Sequence, residues 1–187
     1  LKGGRLNSDY IEELAKYYVR FVEEYQKQGI PIYAMTLQNE PLLEINYPSC
    51  AMTGSQQALL AKAVKEEVAN STILSENEKD VKVWAFDHNF DGAQAFVNEL
   101  FGTADGRDNV DGIAFHPYGG SATSMGALYD TYAGTYTMQL TERSVWGTSG
   151  ANDIITWFRN GSESYNSWVT MLDSNISPHQ WVGTPDP

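Results

Sequence analysis

Thr36-Leu37-Gln38-Asn39-Glu40-Pro41 follows directly on an apolar run, Ile30-Pro31-Ile32-Tyr33-Ala34-Met35. The run reads as a buried strand between a helix and a loop, continuing through about Leu37 and delivering Glu40 at its exit. Pro41 cannot extend a hydrogen-bonded ladder, so the strand stops before it. A carboxylate held on a rigid strand end is free to face a cleft, and the C-terminal strand ends of a parallel barrel are where chemistry is built. Taken alone, Glu40 reads equally well as one acidic residue in a turn.

A second stretch tips that balance. Tyr136-Thr137-Met138-Gln139-Leu140 is another strand-like run, and it ends in Thr141-Glu142. Two glutamates, each closing a buried strand, suit the paired carboxylates of glycoside hydrolysis.

The stretches between them alternate. Ile11, Leu14, Tyr18, Phe21, Val22 and Tyr25 form a helical stripe over about residues 9 to 28, with Asp9, Glu12 and Glu13 at the positive end of the dipole and Gly29 and Pro31 ending it. Thr53 and Gln56 have capping-box spacing at the head of a helix carrying Leu60, Val64 and Val68. Residues 71 to 80 are a polar surface connection. Val81 to Phe86 reads as a strand ending in Asp87-His88-Asn89, followed by a helix through Ala93, Phe96, Val97 and Leu100. Asp108-Asn109 turns into a strand, Val110 to Phe115, that delivers His116-Pro117-Tyr118. A short helix over Met125 to Tyr132 precedes the strand to Glu142; a helix over Asp153 to Arg159 precedes a last strand, Ser167 to Leu172, closed by Asp173.

Five strands separated by helices, with polar residues at the strand exits, indicate parallel β/α units. Length favours an open five-stranded sheet, since an eight-stranded barrel takes about 250 residues, whereas the paired glutamates favour part of a barrel. No charge run or low-complexity tract divides the chain, so residues 1 to 187 are expected to form one domain.

Composition narrows the function classes. The formal net charge of −12 repels phosphate backbones and anionic membrane surfaces, which argues against nucleic acid as a partner. Cys50 is the only cysteine, so no disulfide framework, Cys-rich zinc site or redox pair is available. The three histidines, His88, His116 and His179, lack local ligand spacing, and a metal reading of Asp87 and His88 finds no support there. No phosphate loop or Gly-x-Ser-x-Gly elbow occurs around Ser144 or Ser149. No cofactor is expected. No apolar run approaches the roughly 20 residues of a membrane span, so membrane insertion is not expected either.

In combination and in order, Gly3-Gly4, Tyr17-Tyr18 with Phe21, Gly29-Ile30, Thr36 to Pro41, Tyr47-Pro48-Ser49-Cys50, His116-Pro117-Tyr118, Leu140-Thr141-Glu142 and Trp168 with Leu172-Asp173 resemble the catalytic barrel of glycoside hydrolase family 30. That family includes glucosylceramidases and β-1,6-glucanases. The resemblance implies an incomplete (β/α)8 TIM barrel, about strands four to eight with their helices. Strands one to three and a flanking β-sandwich would then be missing partners from the full-length protein. It implies a retaining β-glycosidase acting on β-linked glucosides or related sugars, in a secreted or extracytoplasmic setting. By the same resemblance Glu40 is the acid/base, Glu142 the nucleophile, and Tyr118 a donor to Glu142.

Other assignments are weaker. Asn39 is a candidate for hydrogen-bonding the sugar 2-hydroxyl, against a plain turn-forming role beside Pro41. His116 is a candidate for contact with sugar or nucleophile, and Trp168 for a sugar-stacking face, against ordinary packing. Trp146 is a lesser candidate of that kind. Two other readings stay open: a carbohydrate-binding barrel remnant without catalysis, and an unrelated open α/β binding domain.

Overall fold

The computed structural model describes residues 3–46 and 48–168. After one turn of 3-10 helix, Ser8–Tyr10, the chain runs α1 (Ile11–Lys27), β1 (Ala34–Thr36), α2 (Gly54–Asn70) and β2 (Lys82–His88). It continues through α3 (Ala93–Phe101), α4 (Ala104–Asn109), β3 (Gly112–Phe115), α5 (Ala122–Tyr132), β4 (Thr137–Arg143), α6 (Gly147–Arg159) and β5 (Ser162–Ser167).

Among the described residues all four strand pairings are parallel, and the order across the sheet is β1-β2-β3-β4-β5. A doubly wound sheet reverses its strand order at a switch point. Here every crossover steps the same way, and the strands form a curled half-barrel, which resolves the conflict between chain length and site chemistry in favour of part of a TIM barrel.

Local chemistry explains the elements. In α1 the buried Ile11, Ala15, Val19 and Val22 recur at helical spacing, Glu12 and Glu13 occupy the first turn, and Lys27 the last. At the head of α2 the Thr53 side chain accepts from Gln56 N–H while the Gln56 side chain accepts from Thr53 N–H, a complete capping box. Strand β3 is buried at all four residues, as a strand with neighbours on both sides and helices over it must be. Phe86, Phe115, Leu60, Leu100, Ile113 and Leu140 join one core between sheet and helices.

Four sequence readings change. The strand expected from Ile30 is formed only by Ala34–Thr36 and is half-buried rather than buried, because it pairs on one side alone among the described residues. Asp108 and Asn109 close α4, a short helix without an apolar stripe, instead of forming a turn. Helix α6 begins at Gly147, six residues before Asp153. Finally, β5 is the polar Ser162–Ser167, so Ser167 ends a strand where one was expected to begin; residues 169–173 of the expected strand lie outside the described residues, as does His179.

Candidate active site

The polar residues at the C-terminal exits of β1 to β4 converge on one imidazole. His116, one residue beyond β3, is 1% exposed. Its Nδ1 lies 3.2 Å from Glu40 Oε1 and 3.8 Å from Glu142 Oε2, and its Nε2 lies 3.1 Å from Asp87 Oδ1. Three carboxylates from three strand exits thus surround a single buried ring.

Backbone geometry aims two of them. Glu40, Phe86 and Asp87 have φ of 49°, 72° and 58°, the only non-glycine residues in the left-handed region among the described residues. Each such conformation costs about 1 to 3 kcal/mol and persists where surrounding structure over-determines it. The surroundings do so here. The register of β2 against β3 shifts between Phe86 and His88, so Asp87 is the extra residue of a bulge. Phe86 N–H donates to Gln57 Oε1 at 2.8 Å, from the buried face of α2. Glu40 N–H donates to Asp87 O at 3.0 Å, prolonging the β1–β2 pairing to the site.

The rest of the site fixes these groups. Thr141 Oγ1 donates to Asp87 Oδ1 at 2.6 Å, and Tyr118 Oη donates to Glu142 Oε1 at 3.0 Å. Burial, followed by the charge of Glu142 and its hydrogen bond, pushes the Tyr118 phenol up to about 12, so it remains a donor at any working pH. The Arg143 guanidinium carbon sits 4.8 Å from the Tyr118 ring centroid, within cation–π range. Burial by itself lowers the pKa of His116, but the hydrogen bond and charge of Asp87, with Glu142 and Glu40, outweigh it and hold His116 above its ordinary value. His88 goes the other way: burial leads, its pKa is lowered, and its Nδ1 accepts from Leu42 N–H at 3.3 Å.

Glu40, Glu142, His116 and Tyr118 therefore share one cluster. His116 turns both ring nitrogens to carboxylates and is closed to solvent, which leaves no free edge for a sugar. Asn39 is exposed beside Glu40. Trp168 is 51% exposed just past β5, its N–H donating to Arg143 O. Trp146 is exposed at the head of α6. Asp87 and Thr141 were not legible as site members; their position at strand exits was the available signal. Gln57, inside a helix, carried none.

A run of parallel β/α units in sequential order, with carboxylates gathered at the strand exits, defines a TIM-barrel protein with an enzyme-like site. The chain belongs to glycosyl hydrolase family 30: the model of its TIM-barrel domain matches residues 1–182. Among curated relatives, an endo-1,6-beta-D-glucanase of Trichoderma harzianum, BGN16.3, is 26% identical over 179 residues, covering 92% of this chain and 35% of its own. A putative glucosylceramidase of Caenorhabditis elegans is 29% identical over 119 residues, covering 62% of this chain and 22% of its own. The chain spans about a third of the length of the first of these and less of the second. Among solved structures, the endo-β1,6-glucanase BT3312 superposes with a TM-score of 0.80 at 25% identity, over 95% of this chain and 42% of that one. SrfJ of Salmonella typhimurium, at 21% identity, TM-score 0.81, and coverage of 96% and 42%, shares the fold.

Proposed function

We propose that this chain carries the catalytic centre of a retaining β-glycosidase for β-linked glucosides, of the β-1,6-glucan or glucosylceramide type. The observation that carries the reading is the convergence of Glu40 and Glu142 on His116 Nδ1. Two oxygens 3.2 Å and 3.8 Å from one nitrogen lie at most about 7 Å apart. That limit on the facing oxygens is compatible with the retaining separation of about 5 to 5.5 Å between the two carboxyl groups, which supports the retaining reading over the wider inverting spacing of about 6.5 to 9.5 Å.

The chemistry follows from the roles. Glu142 attacks the anomeric carbon while Glu40 gives its proton to the departing glycosidic oxygen, leaving a glycosyl ester on Glu142. Glu40, now a carboxylate, takes a proton from water, which attacks the same carbon and releases sugar and the free Glu142 carboxylate. Tyr118 steadies Glu142 through its hydroxyl. Asn39 offers an amide to the sugar 2-hydroxyl, and Trp168 an exposed ring face to a sugar. The relatives named as endo-1,6-glucanases support a glucan substrate, and a polymer of that kind is in keeping with an extracytoplasmic setting.

Azide rescue tests the reading. Glu40→Ala should lose most turnover of an aryl β-glucoside, and azide should restore it while forming the β-glucosyl azide. Rescue giving the α-azide would mean inversion; no turnover of β-glucosides by the parent would remove the activity altogether.

A further inference from the structure

The pairing of His116 with Asp87 is not needed to bring two glutamates together, yet the fold spends a bulge and two left-handed residues on it. We propose that Asp87 and His116 are a positioning pair: Asp87, fixed by Thr141, holds the His116 ring protonated and oriented so that Nδ1–H donates to Glu40 and supplies its counter-charge when Glu40 is a carboxylate.

The geometry is one-directional. Nε2 faces Asp87 Oδ1 at 3.1 Å, and that same oxygen accepts from Thr141 Oγ1. An ionised Asp87 only accepts, so Nε2 must carry a proton. With Nε2 protonated and Glu40 in its carboxylate form, a neutral ring presents a bare Nδ1 to Glu40, lone pair against carboxylate. A cationic ring presents N–H instead and satisfies Glu40 at 3.2 Å. The groups facing His116 from every side favour the cation: Glu40 beyond β1, Asp87 in β2 and Glu142 in β4 are acidic. His88 in β2 opposes it but is itself held towards the neutral form, and the Tyr118 ring meets the imidazole edge-on at 6.4 Å as a neutral phenol.

This inference rests on reading Glu40 as acid/base and deepens it. In the second half of that reaction Glu142 is a neutral ester, so Glu40 and Asp87 are the carboxylates left beside the ring. The cation then stabilises the form of Glu40 that must take a proton from water. Asp87 acts through His116, and His116 through Glu40; neither touches the sugar.

Nitrogen-15 NMR of histidine-labelled chain tests the pair without needing turnover, with His116→Gln assigning the signals. The expected result is a His116 ring doubly protonated at pH 7, against a free-histidine pKa of about 6.5, and a proton affinity at least tenfold lower in Asp87→Asn. Asp87→Glu, which keeps the charge, should restore part of the difference. A neutral His116 at pH 7 in the parent overturns the proposal whether or not the variant folds, as does an unchanged titration in Asp87→Asn. In the active enzyme, Asp87→Asn should keep the burst of aryl alcohol from an activated aryl glucoside, slow the steady state tenfold or more, and move the alkaline limb to lower pH. A lowered plateau with an unmoved limb would mean a purely structural role. Failure of the acid/base reading shows separately, as absent azide rescue of Glu40→Ala.

Discussion

The two ends of this sheet handle charge in opposite ways. At the N-terminal end Lys65 Nζ meets Asp111 Oδ2 at 2.7 Å and donates to Val81 O at 2.9 Å, while Asp111 Oδ2 also accepts Val83 N–H at 2.7 Å. One cation faces one anion, each satisfied by backbone. At the C-terminal end Glu40, Asp87 and Glu142 surround one imidazole, on a backbone with three left-handed residues. The first arrangement ties strands and helix together. The left-handed backbone that carries the second costs stability, and a fold keeps such a cost where chemistry uses it.

Substitutions that unbalance each end sharpen the contrast. Glu40→Gln should lower turnover of a poor-leaving-group β-glucoside by about 10²- to 10⁴-fold, the range of general acid–base catalysis, while chemical denaturation shows the variant no less stable than the parent. At the opposite end, Asp111→Ala should cost about 1 to 3 kcal/mol, because it leaves Val83 N–H and Lys65 without their partner, while turnover per folded molecule is unchanged. Equal stability losses in Glu40→Gln and Asp111→Ala would erase the distinction.

A finer effect lies in pH. The folded-state pKa of His116 is raised, so its pairing contributes stability in full below about pH 6.5 and loses it as pH rises through the folded value. The melting temperature of Asp87→Asn should therefore fall furthest below the parent near pH 5, with the gap narrowing towards alkaline pH. A gap that widens with pH would contradict the sign. The smallest effect calibrates the rest: Thr53→Ala removes the capping box far from either charge cluster and should cost about 1 kcal/mol at every pH, read in the same melts.

What the sequence disclosed follows from how local each signal is. The capping box at Thr53 and Gln56 is encoded within one turn and stands where expected; α1 also forms, but its buried face is Ile11, Ala15, Val19 and Val22, and Phe21 and Tyr25 of the expected stripe are exposed. Strand exits at Glu40, His116 and Glu142 were legible because apolar runs stop abruptly there. Asp87 stood at a legible strand exit beside His88, yet its place in the site was not legible. Strand alternation cannot tell which of two neighbours points inward once a bulge intervenes, and here Asp87 turns to His116 while His88 turns to Leu42. Strand β5 was missed because Ser162–Ser167 is polar, with only Ser162 buried, so no apolar run announces it. Helix α4 was missed because a six-residue segment of Ala-Asp-Gly-Arg-Asp-Asn has no periodicity to detect.

The most direct measurement is intact-mass analysis after incubation with an activated 2-deoxy-2-fluoro β-glucoside, followed by peptide mapping. A single fluoroglucosyl adduct on Glu142, absent in Glu142→Gln, is the predicted result. An adduct on another residue, or one that persists undiminished in Glu142→Gln, would contradict the assignment of the two glutamates.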